Sequence, residues 1–460
     1  MYEININKCG KIHFIGIGGI SMSSLAHILL SKGRKVSGSD AKSSPLTKEL
    51  EDMGAEIFYG QRSENIKDDV EAVVYTAAIS EDNPELMEAR KRNLPLLSRA
   101  QFLGQIMTHY DKAIGVSGTH GKTTTTSMIS EILLQAKTDP TILVGGILNS
   151  IGGNYRIGSD GTFITEACEY TNSFLSFAPT VGVILNISAD HLDFFKDLDD
   201  IRHSFKEYAK LIPEKGSLVI NHDIENLSYI TNDLSCKLIT FSTSCKEADY
   251  YAENIEFNDM ACAEFDLMNK GNKLAKISLK VPGIYNVGNA LAAAATCLSL
   301  DLSLDDICTG LEKFSGADRR FQKKGEIGGV TIIDDYAHHP DEIKATLTAA
   351  KNYPHKTLWC VFQPHTYTRT KALMDEFAEA LAMSDKVVLA SIYAARETDT
   401  LGISSADLQK KIQELGKEVY YFPSFDEIES FLLENCAKGD LLITMGAGDV
   451  VKIGENLLGE

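Results

Sequence analysis

Lys112-Ala113-Ile114-Gly115-Val116-Ser117-Gly118-Thr119-His120-Gly121-Lys122-Thr123-Thr124 is the stretch on which the reading of the fold turns. A short apolar strand runs into a glycine turn, and a helix is expected from about 122 to 135. Such a turn points backbone N–H groups at phosphate oxygens, while the lysine adds a mobile positive charge and the hydroxyl ligates magnesium. Gly118, Thr119, His120, Gly121, Lys122, Thr123 and Thr124 are therefore candidate nucleotide contacts, with Thr123 also a metal ligand. Strict P-loop spacing would put glycine at 116, where Val116 stands between Gly115 and Gly118. The competing reading is an ordinary strand-to-helix turn.

The same strand–turn–helix plan recurs on either side. Upstream, the apolar segment 11–15 enters Gly16-x-Gly18-Gly19-x-Ser21, helical periodicity covers 20–32, and strands are expected at 35–40 and 72–76. Asp40 follows Gly18 by 22 residues, where a ribose-binding acid is sought in a dinucleotide fingerprint. Gly16, Gly18, Gly19, Ser21 and Asp40 thus mark a second diphosphate site. Downstream, a third start near 316 leads to strands at 329–335, 357–362, 386–392 and 440–445. Alternation of this kind predicts an α/β protein with mainly parallel sheets in three domains: 1–107, 108–315 and 316–460.

The chain has 460 residues, enough for several cores, and a formal net charge of -19, which argues against nucleic acid or an anionic membrane as partner. Residues 1–10 do not read as a secretory signal, and the most apolar helical stretch, 290–300, is about half the roughly 20 residues that span a bilayer. Nine cysteines with no Cys-x-x-Cys pair indicate neither disulfides nor a thiolate zinc site. A reduced cytoplasmic enzyme, monomer or homodimer, is the expectation.

Further candidate groups follow predicted strands, where ligands of open α/β sheets gather. Glu166, Glu169 and His191 are carboxylates and an imidazole suited to magnesium beside substrate phosphates. Asp334-Asp335-Tyr336-Ala337-His338-His339-Pro340 and Phe362-Gln363-Pro364-His365-Thr366-Tyr367-Thr368-Arg369 place polar groups after apolar strands. Arg319 and Arg320 are read equally as a solvated pair or as phosphate ligands.

Taken in order, IHFIGIGGISMS (12–23), VSGSD (36–40), GTHGKTTTT (118–126), TEACEYTNSFL (165–175), NISADHLDFF (186–195), PGIYNVGNALAA (282–293), DRRF (318–321), DDYAHHP (334–340) and FQPHTYTRT (362–370) resemble the Mur ligases of peptidoglycan precursor synthesis over essentially the whole chain. The resemblance implies a Rossmann-like N-terminal domain for a UDP-sugar, a central P-loop ATPase-like domain, and a Rossmann-like C-terminal domain that closes over the site. It implies ATP and Mg2+ as cofactors and UDP-N-acetylmuramate and L-alanine as substrates, joined through an acyl phosphate. By motif position it implies Lys122 on the β/γ-phosphates and Thr123, Glu166 and His191 on magnesium. Arg320 would reach the γ-phosphate, Asn289 and Asp335 would hold adenine and ribose, and His338 and Arg369 the amino acid. His338 is counted with Lys122, Glu166, His191 and Arg320 among the reacting groups.

The chain departs from many relatives in having Ala167-Cys168-Glu169-Tyr170 after the metal-binding glutamate, and Thr366 where arginine is frequent. Several sister ligases use a carbamylated lysine, and the pattern here aligns Phe205, not Lys206, with it. Two other readings stay open: a ligase that recycles a murein tripeptide, whose glycine turn usually holds a cysteine that Gly16-Ile17-Gly18-Gly19 lacks, and a non-catalytic sensor of UDP-sugar and ATP.

Overall fold

The computed structural model describes residues 3–459 apart from 160, 193 and 396. Its first sheet is built from β1 (Lys11–Ile15), β2 (Val36–Asp40), β3 (Glu56–Tyr59), β4 (Val70–Tyr75) and β5 (Leu96–Ser98), ordered β3-β2-β1-β4-β5 with every neighbour parallel. Ile12, Phe14 and Ile15 of β1 are all buried, as a strand covered on both faces requires. The chain order reverses at β1, which opens a crevice at its carboxyl end, and the turn at 16–19 lies there. Helices Pro45–Asp52 and Pro84–Lys91, absent from the periodicity reading, begin at Ser44 and Asn83 caps with proline in the first turn.

Helix Arg99–Met107, capped by Ser98, joins this unit to the next. Phe102 meets Phe14 edge-on at 5.6 Å, an arrangement worth about 1 kcal/mol beyond its burial. On its other side Gly104 faces the 176–177 backbone so closely that a Cβ there would overlap the Ser176 carbonyl oxygen. One apolar cluster consequently runs unbroken from Phe14 and Leu25 through Phe102 to Phe163, Phe174 and Tyr208 of the central unit.

The central sheet contains β6 (Lys112–Ser117), β7 (Thr141–Leu148), β8 (Gly153–Arg156), β9 (Thr162–Glu166), β10 (Val181–Ile184), β11 (Ser217–Asn221), β12 (Lys237–Ser242), β13 (Tyr250–Phe257), β14 (Cys262–Asn269) and β15 (Asn272–Pro282). Its order is β15-β14-β13-β12-β11-β10-β6-β9-β7-β8, parallel from β13 across to β7 and antiparallel at both ends. β6 lies inside the sheet, so the loop after it opens between the ends of β9 and β10. Gly115 is explained by packing: the buried Tyr208 hydroxyl donates to its carbonyl at 2.8 Å and fills the space of a side chain. Helices Lys122–Gln135, Ile284–Ser299 and Leu304–Lys313 pack on the other face.

The third sheet joins β16 (Gln322–Ile327), β17 (Val330–Asp335), β18 (Leu358–Phe362), β19 (Lys386–Leu389), β20 (Glu418–Tyr421) and β21 (Leu441–Met445) in the order β16-β17-β21-β18-β19-β20. All pairs are parallel except β16–β17, a hairpin whose Gly328 and Gly329 take φ of 59° and 82°. Two apolar clusters, separate from those of the other units, cover its faces. No helix among the described residues is long and apolar enough to cross a membrane.

Candidate functional site

The loop after β6 is shaped by two glycines and clamped by one asparagine. Gly118 and Gly121 adopt φ of 139° and 86°, and a Cβ on Gly121 would come within 2.6 Å of Asn289 Oδ1. Asn186 accepts the His120 amide at 2.8 Å, donates to the His120 carbonyl at 3.0 Å, and takes the Thr119 amide on its own carbonyl at 3.2 Å. Sequence reading left Asn186 inside a family motif without a role; in the structure it sets the shape of the loop.

Lys122, first residue of the following helix, donates to the Gly118 and Thr119 carbonyls and pairs with Glu169 at 3.0 Å. Burial alone would lower its pKa, but Glu169, Cys168 and Glu166 outweigh it and hold the ammonium above its ordinary value, so it stays charged. Glu169, grouped with the metal candidates from sequence, is thus the counter-ion of the loop lysine.

Glu166, at the end of β9, accepts the Gly145 amide at 2.6 Å, and a Cβ on Gly145 would sit 2.8 Å from the same oxygen. His191 lies after β10 at φ 53° and stacks on Tyr170 with centroids 4.5 Å apart. Burial pushes its pKa down, leaving it neutral and able to ligate, while Asp190 beside it is held at about 2 against its own burial by His191, Arg369 and His339. Glu166 and His191 both act electrostatically around the Lys122–Glu169 pair. They do not close with a third acid or imidazole into a compact cluster; the two such groups among the described residues are His120–His339–Asp341 and His222–Cys245–Glu247.

The third unit approaches from the opposite side. His120 Nδ1 is 3.1 Å from Glu342, its ring 5.1 Å from that of His339, and Arg369 reaches Asp190 at 3.4 Å. His338 turns its Nδ1 to the Tyr336 carbonyl at 3.0 Å and faces His365 at 5.8 Å, while His365 lies 3.3 Å from Arg369. Burial lowers the pKa of His338, and that of His365 to about 4. Thr366 carries no side-chain cap; its φ of 66° turns the chain into the short helix bearing Arg369.

The two neighbouring arginines both lie over the Tyr336 ring, at 5.0 and 5.2 Å, but take different partners beyond it. Arg319 is spent within the third sheet, on Asp334 at 2.9 Å and on the Gly446 and Gly448 carbonyls. Arg320 lies over the Tyr336 ring at 5.2 Å and lines a cavity of about 300 Å³ between the central and third units, together with Gly121, Asn289, Tyr285 and Asp335. Asp335 accepts the Phe321 and Ala337 amides at 2.7 and 2.8 Å, and burial pushes its carboxyl up to about 6.

At the first glycine turn Asp40 accepts the Gly18 amide at 2.8 Å and its neighbour Ala41, so its carboxylate braces the turn. Ser21 accepts from Arg99 at 3.0 Å. Arg99 is the residue sequence reading passed over. It is partly buried, burial depresses its pKa, and among the described residues no carboxylate pairs with it. Lys206 lies over the Tyr229 ring at 4.6 Å, whereas Phe205 packs on Phe174 in the core.

Three parallel-rich α/β units, the central one with a glycine loop and lysine between β6 and its helix, define a class that comparison with known proteins identifies. The chain matches the Mur ligase family catalytic domain over 11–111, the Mur ligase middle domain over 116–297 and the Mur ligase glutamate ligase domain over 319–448. It belongs to the Mur ligase family. Among individual relatives, it is 59% identical over 458 residues, all of both chains, to a UDP-N-acetylmuramate–L-alanine ligase of Lachnospira eligens. A solved UDP-N-acetylmuramate–alanine ligase of Thermotoga maritima superposes with a TM-score of 0.80 at 30% identity over 98% of each chain. A murein peptide ligase of Psychrobacter arcticus gives 0.70 at 25% over 98% of each.

Proposed function

We propose that the chain joins L-alanine to the lactyl carboxylate of UDP-N-acetylmuramate at the expense of ATP, giving UDP-N-acetylmuramoyl-L-alanine, ADP and phosphate. The observation that carries this reading is the meeting of all three units around one segment, 166–191: Gly104 of the first packs on Ser176, Lys122 of the loop pairs with Glu169, and Arg369 of the third with Asp190. Full-length identity with L-alanine ligases favours alanine over a tripeptide.

The nucleotide fits the loop and cavity on two observations. His120 and His339 each leave a buried Nε2 without a partner beside the loop, and the Gly121 cradle excludes any side chain. Asn289 and Asp335 are assigned to the base and ribose, and the 118–124 amides, Lys122 and Arg320 to the phosphates. Thr123, Glu166 and His191 would hold magnesium, an oxygen-rich set with one neutral imidazole; the ion supplies neutralisation of charge on the transferred phosphoryl group. Arg99 and Ser21, with the turn 16–19, receive the UDP diphosphate, which sets the lactyl carboxylate toward Lys122.

A carboxylate is a poor acceptor for an amine. Its oxygen attacks the γ-phosphorus, ADP leaves, and the acyl phosphate then has a good leaving group for attack by alanine. Lys122 and Arg320 take up the charge that spreads over the phosphoryl oxygens. His338 and Arg369 orient the amino acid, Arg369 by its carboxylate. The His120–Glu342 and Asp190–Arg369 contacts draw the third unit over the site and keep water from the acyl phosphate.

The testing experiment is phosphate release, expected only with UDP-N-acetylmuramate, L-alanine, ATP and magnesium together. A higher kcat/KM with murein tripeptide would transfer the assignment to recycling, and no turnover with any combination to a sensor.

A further inference from the structure

On the far side of the nucleotide cavity, β11 and β12 end next to one another, and the loops after them bring His222, Cys245 and Glu247 together. An imidazole nitrogen, a thiol sulfur and a carboxylate oxygen lie within 4.8 Å of one another. Among the described residues no other side chain engages any of the three.

The backbone that carries them is held by other groups. The His222 amide donates to the Phe241 carbonyl at 2.8 Å. Ser242 donates to Asp223 at 2.7 Å, and its oxygen accepts the amides of Ser244 at 3.1 Å and Cys245 at 2.8 Å. Both loops are therefore fixed before any ligand arrives, and little ordering remains to oppose binding.

We propose that His222, Cys245 and Glu247 form a binding site for a zinc-class divalent cation, distinct from the magnesium of the ligation reaction. Sulfur and imidazole beside one carboxylate select a borderline-soft ion that accepts tetrahedral coordination, with water in the fourth position. Magnesium, which requires hard oxygen donors in an octahedron, is selected against.

Position gives the site a consequence. Asn221, next to His222, and Thr243, two residues before Cys245, both line the cavity assigned to the nucleotide. A cation that ties the two loops together pins that stretch of cavity wall and tightens nucleotide binding. This coupling rests on the nucleotide reading of the cavity; the cation site itself does not.

The test uses the full chain, stripped with a chelator, desalted and titrated with Co2+ as a spectroscopic probe. One equivalent is expected, with a near-ultraviolet thiolate-to-cobalt charge-transfer band. The band should vanish in Cys245→Ser, and affinity should fall about tenfold or more in His222→Ala and in the solvent-facing Glu247→Gln. Absence of the band in the wild type, or its survival in Cys245→Ser, overturns the site. One equivalent of Zn2+ should then tighten ATP binding about fivefold in the wild type and leave Cys245→Ser unchanged. No change in the wild type, or an equal change in both, overturns the coupling, and the Co2+ titration still decides the site separately.

Discussion

The glycine turns at 16–19 and 118–121 share one plan, a buried parallel strand feeding a glycine turn and then a helix, yet they obtain positive charge differently. The second carries its own cation, Lys122, one residue past the turn and already paired with Glu169. The first has none nearby; its acid, Asp40, braces the turn, and its cation is Arg99, some eighty residues on, anchored to Ser21. A turn that includes its cation can be read from a short motif. One that imports it is complete only after folding.

The sharpest break of this comparison is Lys122→Ala. Turnover should fall about a thousandfold or more, because charge on the phosphoryl group loses its mobile counter-ion, while UDP-N-acetylmuramate binding by calorimetry stays intact. Loss of both in a folded variant would mean that the two turns do not serve two ligands. Next comes Arg99→Ala. Losing a charge-assisted contact should weaken UDP-N-acetylmuramate binding about 10- to 100-fold and leave ATP affinity unchanged; an effect on ATP alone would assign Arg99 to the other turn.

Third is pH. Only an ionised Asp335 is a pure acceptor for ribose hydroxyls, and burial sets its titration near 6, between the Arg320 charge that opposes the shift and Glu342 that adds to it. ATP affinity should be full above this pH and fall up to about tenfold per unit below it. Asp335→Asn should flatten that limb, and an unchanged limb would remove Asp335 from the nucleotide site. Smallest is Gly104→Ala, expected to destabilise the fold by about 1–3 kcal/mol in denaturant titration because its methyl overlaps the Ser176 carbonyl. A neutral result would show that helix Arg99–Met107 gives way there.

The strand–turn–helix units were legible because apolar runs, glycines and helical periodicity all sit within about twenty residues. Helix 122–135 and strands β6, β17, β18 and β21 fell within a residue or two of expectation. β16 was not legible: Gln322-Lys323-Lys324-Gly325-Glu326-Ile327 is polar and bulged, and it is a strand only because β17 offers an edge. For the candidate site, motif position singled out Lys122, Glu166 and His191, but pairing is a property of three dimensions. Nothing in Glu169 announces that it answers Lys122, nor in Arg319 that it serves the third sheet while Arg320 faces the cavity. Arg99 belongs to no motif, and its place is visible only in the folded chain, partly buried with its guanidinium on the Ser21 hydroxyl.

The unbroken apolar cluster from Phe14 to Tyr208 has a mechanical meaning. The first and central units share it, whereas the third keeps apolar clusters of its own and meets the central unit at Tyr285, around a cavity and at the His120–Glu342 and Asp190–Arg369 contacts, so the molecule is built as a welded pair with a separately cored third part. The turn at 16–19 and the loop at 118–121 both sit on the welded pair, and the third part presents Arg369 to Asp190 from a core of its own.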